Sequence, residues 1–155
     1  MAFKRLSLSQ KCLTAKLIHG LANVNKQNQL YYNASPICPC CQEAEESFEH
    51  VLTCHSELSS IQREQTLQAL IKGLQLINTP EKVIEAIVAG TEAWIASSVN
   101  TIGRVHAPTA GSLNSGDILL TTAFTEQYHS IGWYHFTLGR ISSKWDAAVR
   151  CYRGQ

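Results

Sequence analysis

The chain is poor in aspartate, with Asp117 and Asp146 the only two among its 12 acidic residues. Two-metal phosphoryl transfer needs a cluster of carboxylates, so a polymerase activity cannot reside here. No run approaches the roughly 20 apolar residues of a membrane span, and the start MAFKRLSLSQKCLTAKL lacks the apolar core of a secretory signal. The expectation is a soluble intracellular protein, cytoplasmic or nuclear, with no membrane partner. Alternating strand patterns are nearly missing and no repeat of 20 to 50 residues is visible. His-Glu-x-x-His, the deaminase pattern and Gly-x-Ser-x-Gly are also missing, so no catalytic residue and no small-molecule substrate is evident and a non-enzyme is expected.

Charge of one sign is missing over long stretches, although the formal net charge is only +1. From Met1 to Tyr32 there are five basic residues, Lys4, Arg5, Lys11, Lys16 and Lys26, and no acidic one. From Asn33 to Ser60 the balance inverts, with Glu43, Glu45, Glu46, Glu49 and Glu57 and no Lys or Arg. Such segregation produces local fields that a near-zero total hides.

Apolar spacing points to an all-α protein. Leu13, Leu17, Ile18 and Leu21 predict a helix to about Gly20, with Ser7 or Ser9 as its cap. The Asn- and Gln-rich stretch NVNKQNQLYYNASPI reads as a connector with one irregular turn, and EESFEHVLTC as a short helix with its acids at the favourable end. Leu67, Leu70, Ile71, Leu74 and Ile77 predict an amphipathic helix. Thr79-Pro80-Glu81 starts a second, carrying Val83, Ile84, Ile87, Val88, Trp94 and Ile95, and the short turn between them suggests an antiparallel hairpin.

NTIGRVHAPTAGSLNSG reads as an exposed loop, and helices carrying Ile118, Phe124, Trp133, Trp145 and Val149 close the chain. The resulting division is 1–56 for the basic helix and a zinc-knuckle module, 57–99 for the hairpin, 100–116 for the loop and 117–155 for C-terminal helices, with 57–155 as one helical unit.

The six cysteines are unevenly placed, four of them between Cys38 and Cys54. Crowding of this kind suits a metal better than a disulfide framework. In CPCCQEAEESFEHVLTC, Cys38 and Cys41 lie two residues apart, the spacing of a knuckle stiffened by Pro39. His50 and Cys54 lie one helical turn apart and can reach one ion. The pattern Cys-x2-Cys-x8-His-x3-Cys points to structural Zn2+, with all four positions taken by protein and none left for a reacting water. Cys40 and His55 are alternatives with poorer spacing. Cys12 and Cys151 read as small buried residues, Glu46 and Glu49 as parts of a solvated helix face, and Trp94, Trp133 and Trp145 as core.

The segment Leu13–Cys54 resembles the reverse-transcriptase zinc-binding domain of non-LTR retrotransposon polyproteins. The resemblance is carried by KLIHG, a polar connector, Cys-Pro-x-Cys, the acidic QEAEES and EHVLTC, in that order. It implies that Cys38, Cys41, His50 and Cys54 are the zinc ligands, and it makes the other domains of a retroelement polyprotein candidate partners. Gln127, Ile131-Gly132-Trp133, Gly139-Arg140, Ser142 and Trp145 also look like a tail found in other retroelement-derived reading frames.

RNA or DNA contact would fall on the basic flanks, Lys4, Arg5, Lys11, Lys16 and Lys26 with Tyr31 and Tyr32, joined by Arg140, Lys144, Arg150 and Arg153, because the knuckle itself carries glutamates. The alternative expectation is a protein-interaction or scaffold fragment, a retroelement remnant without nucleic-acid binding.

Overall fold

Ser7 opens the first helix as expected. Its hydroxyl accepts from Gln10 N at 3.3 Å while its own N–H donates to the Gln10 side chain at 2.9 Å, a reciprocal cap for α1, Leu8–Ile18. The computed structural model describes residues 7–19, 21, 23–98 and 114–154. Lys4, Arg5 and the expected loop up to residue 113 lie outside them.

Among the described residues the protein is all-α. It has eight α-helices and one isolated antiparallel bridge, Ile37 with Glu45, and no helix is long and apolar enough to cross a membrane. The chain divides into two compact units, Met1–Ser59 and Ser60–Gln155.

In the first unit the Asn- and Gln-rich connector is in fact a helix, α2, Asn25–Tyr32. Its N-cap, Val24, offers no side-chain acceptor, and the helix ends at Asn33 in the left-handed region (φ 53°). The expected helix over EESFEHVLTC is shorter, α3, Phe48–Thr53, because Glu45 is drawn into the bridge with Ile37 and the Ser47 hydroxyl caps the new start by accepting from His50 N at 3.0 Å. Neither α1 nor α2 buries a residue, and Cys12, expected inside, is exposed.

The helix α4, Glu57–Leu76, also buries none of its residues; of its apolar stripe only Leu74 packs against the second unit's core. Its end is held instead by Arg153, which donates to the carbonyls of Ile77 and Asn78 at 2.6 and 3.1 Å. Pro80 supplies the carbonyl that accepts from Ile84 N, so α5 runs Glu81–Ser98.

The core joins Val83, Ala86 and Ile87 of α5 to residues of α6 (Ser115–Glu126), α7 (Trp133–Thr137) and α8 (Lys144–Arg153). Trp133 is its centre, with ring centroids 5.6 Å from Phe124, 5.2 Å from Phe136 and 6.3 Å from Trp145. Gly90 makes this possible, because a Cβ there would lie 1.9 Å from the Trp133 ring. Trp145 is buried, Trp94 and Cys151 only partly so. Helix α6 starts two residues inside the expected loop, at Ser115, because the Asn114 side chain caps it by accepting from Asp117 N at 2.8 Å.

A π-helical turn, Gln127–Ile131, follows α6 and is stopped by Gly132 at φ 90°. It carries Gln127 into the interior with no exposed surface. There the amide donates to the carbonyls of Gly132 (3.1 Å) and Arg140 (3.3 Å) and accepts from Ser142 N (3.1 Å) and Trp145 Nε1 (3.4 Å). The scattered C-terminal residues Gln127, Gly132, Arg140, Ser142 and Trp145 are thus one hydrogen-bonded knot that fixes the path from α6 to α8.

Candidate metal centre

Two short elements bring the four candidate ligands together. The first is the turn after Ile37, where Gln42 N donates to Cys38 O at 2.9 Å and Cys38 N to Ala44 O at 2.8 Å. Gln42 sits at φ 59°, in the left-handed region, and turns the chain after Cys41 back towards the bridge of Ile37 with Glu45. The second is α3. It places His50 in its first turn and ends at Cys54, whose backbone has left the helix (ψ 130°).

One ligand atom from each of Cys38, Cys41, His50 and Cys54 lies within 4.8 Å of the other three. Cys38 Sγ is 3.9 Å from Cys54 Sγ, and Cys41 Sγ is 3.3 Å from His50 Nε2. A disulfide requires about 2.05 Å, and all six cysteines are free thiols. Three sulfurs and one imidazole nitrogen at these separations can hold one metal ion. Cys38 and Cys54 are buried and Cys41 and His50 half-buried, so such an ion would be largely enclosed.

Burial pushes the Cys38 thiol up to about 11, opposed in part by the N–H groups of Cys41 and Cys40. Burial acts in the same direction on Cys54, but the Ser59 and Ser56 hydroxyls, the Ser56 N–H and Cys38 outweigh it and bring that thiol down to about 6. The two thiols are thus shifted in opposite directions, and a divalent cation held between them would displace any proton that remains.

Neither competing ligand joins the cluster. Cys40 is exposed, and His55 Nε2 lies 3.1 Å from Glu43 Oε2.

The hairpin carrying the knuckle also builds the helix before it. Glu46 Oε2 accepts from Asn25 N at 2.7 Å, Glu46 O accepts from Lys26 N at 3.2 Å, and Asn25 Nδ2 donates to Ile37 O at 3.0 Å. Glu46 is thus a cap supplied from 21 residues away rather than a member of a solvated face, whereas Glu49 is exposed as expected. No local signal near Val24 announces α2, since its acceptor comes from the far side of the knuckle.

The basic residues fall in both units. Lys11 and Lys16 are on α1 with no ion pair among the described residues, and Lys26, on α2, pairs with Glu45 at 2.8 Å. Arg140 follows α7 with a guanidinium nitrogen 3.3 Å from His135 Nδ1, and Lys144 begins α8; both are exposed. Arg150 pairs with Asp146, and Arg153 is committed to the end of α4.

No family model matches this chain, and no solved structure matches it.

Proposed function

We propose that this chain is a non-catalytic zinc-binding module of the reverse-transcriptase zinc-binding type, from a retrotransposon polyprotein, and that it contacts RNA or DNA through its basic flank. The observation that carries the reading is the four-ligand cluster itself. With Zn–S near 2.3 Å and Zn–N near 2.0 Å, a tetrahedron has S···S edges of about 3.8 Å and S···N edges of about 3.5 Å. The separations of 3.9 and 3.3 Å fall close to those edges. Soft thiolates with one imidazole select zinc over hard cations. Four protein donors leave no open position for a water, which makes the ion a clamp.

Leu13–Cys54 carries the family resemblance in its motif order, and the first 32 residues carry cations without a single acid, the distribution a phosphate backbone favours. The compartment in this reading is the reducing cytoplasm or nucleus, where thiols stay available to a metal.

The test is a polarisation titration of the full, zinc-loaded chain against RNA and DNA at several salt concentrations. Wild-type binding that falls steeply with salt, together with lower affinity in K11E/K16E, supports the reading. Equal binding by wild type and K11E/K16E removes the basic flank from it.

A second reading, an interaction or scaffold fragment without nucleic-acid binding, is favoured by one observation. Leu58, Ile61 and Leu76 of α4 are 72, 50 and 83% exposed on a helix that buries nothing. Titrations showing no salt-dependent binding of any nucleic acid would favour it.

A further inference from the structure

Helix α2 ends in a feature its own fold does not use. Leu30, Tyr31 and Tyr32 are 72, 72 and 79% exposed, three consecutive large side chains on a helix without a buried residue. The two tyrosine rings stand with centroids 6.4 Å apart and planes inclined at 59°. Each ring therefore offers a face to solvent, and the two faces are not parallel.

The helix beneath them is anchored at one end. Its N-terminus is tied to the metal hairpin by the Glu46 carboxylate, the Glu46 carbonyl, the Asn25 side chain on Ile37 O, and the Lys26–Glu45 ion pair. Those acids are consumed at one end of the helix, and the tyrosines lie at the other, about seven residues or 10 Å along the axis. Between them stand Gln27, Asn28 and Gln29, and beyond them Asn33 and Ser35, all uncharged hydrogen-bonding side chains. The tyrosines close the 32-residue stretch that holds five cations and no acid.

We propose that Tyr31 and Tyr32 are a base-stacking platform, held in place by the metal hairpin, on which unpaired bases of a single-stranded nucleic acid lie while Lys11 and Lys16 contact its phosphates. The inference rests on the nucleic-acid reading given above and adds to it the strandedness of the ligand and the residues that select it. An aromatic face stacks on any base but reaches one only when the base is unpaired, so single strands are preferred over duplex without sequence preference. Paired with Glu45, Lys26 orients the helix and adds little to phosphate binding.

The experiment is a polarisation titration of the full, zinc-loaded chain with labelled oligouridine and with a blunt RNA duplex of equal length, over a range of salt. Wild type, Y31A/Y32A, Y31F/Y32F and K11E/K16E are compared at matched zinc content, which controls for folding. The expected result is tighter binding of oligouridine than of duplex. Y31A/Y32A loses that preference and about tenfold or more in oligouridine affinity at an unchanged salt slope, Y31F/Y32F retains both, and K11E/K16E lowers affinity and salt slope together.

Oligouridine binding by Y31A/Y32A equal to wild type, with K11E/K16E still weakened, overturns the platform and leaves the broader reading standing. Loss in Y31F/Y32F as large as in Y31A/Y32A also overturns it, since a hydroxyl rather than a ring face would be the contact. No binding by wild type at low salt overturns both. A concentration-dependent dimer abolished by Y31A/Y32A assigns the rings to a second copy of the chain and overturns the stacking role.

Discussion

The carboxylate of Glu46 accepts from the backbone N–H of Asn25 at 2.7 Å, so the residue that follows the knuckle closes a helix that precedes it. The helix has no cap of its own at Val24, and its stability is thereby coupled to the hairpin that carries Cys38 and Cys41.

Removing that carboxylate with Glu46→Ala is expected to destabilise the first unit by about 1 kcal/mol, within the range of helix caps. Glu46→Gln retains an acceptor and loses only part of this. Thermal unfolding of the zinc-loaded chain followed by far-ultraviolet circular dichroism measures it, and an unchanged midpoint in Glu46→Ala would show that the cap is not formed in solution.

Gln127 in the second unit is expected to be far less replaceable. Gln127→Leu is close in size but leaves the carbonyl of Arg140, the N–H of Ser142 and Trp145 Nε1 without their partner, and Gly132 O with the Phe136 N–H alone. Orphaned buried groups cost about 1–3 kcal/mol each before relaxation, so a loss of at least about 2 kcal/mol is expected in urea titrations. Gln127→Glu introduces a buried charge and is expected to be worse.

Gly90→Ala tests the close approach of α5 to Trp133. Helix propensity alone favours alanine by about 1 kcal/mol. The added methyl would stand 1.9 Å from the indole, which the aromatic cluster around it holds in place. Net destabilisation of about 1–3 kcal/mol is expected, with a change in Trp133 emission.

The pH limits of the second unit follow from Asp117 and Tyr152. The Tyr152 hydroxyl, donating at 2.5 Å, and then the Lys82 ammonium at 3.0 Å hold the Asp117 carboxyl below its usual range. Burial, and then Asp117, push the Tyr152 phenol above its own. A depressed carboxyl contributes stability that is complete above its unfolded value, about 3.9, and is lost as pH falls through the folded one. A raised phenol contributes stability that is complete below about 10 and is lost as pH rises. The melting temperature of the second unit is therefore expected to be flat from about pH 5 to 9 and to fall on both sides. Asp117→Asn is expected to flatten the acid limb, as followed by calorimetry across pH.

Much of this architecture was legible in the residues because its causes are local. Ser7, one of two candidate caps for α1, the helix-start signal around Pro80 and the apolar spacing of α5 and α6 each act within a few positions, and the helices begin and run where these signals place them. The clustering of Cys38, Cys41, His50 and Cys54 was legible for the same reason, two on a turn and two spaced by one turn at a short helix.

Helix α2 was not, because its cap is 21 residues away and its own Asn residues favour turns. The apolar stripe of α4 gave helicity correctly but not burial, since periodicity records a face and not what covers it. The knot around Gln127 was visible only as unexplained residue identities. What joins them is a π-helical turn and two glycines at positive φ, Gly132 at 90° and Gly139 at 78°, whose meaning emerges only when the amide is seen at their centre.

In the proposed reading, Cys38, Cys41, His50 and Cys54 are one closed zinc clamp for the first unit. The most direct measurement is metal content of the reduced, purified chain, followed by circular dichroism during chelation. One zinc per chain is expected, with Cys38→Ser and Cys54→Ser each losing it. Chelation is expected to unfold the first unit and leave the Trp133 core of the second intact, since binding of structural zinc supplies on the order of 10 kcal/mol of folding free energy. A stoichiometry near zero in reduced protein, or a first unit indifferent to chelation, would contradict it.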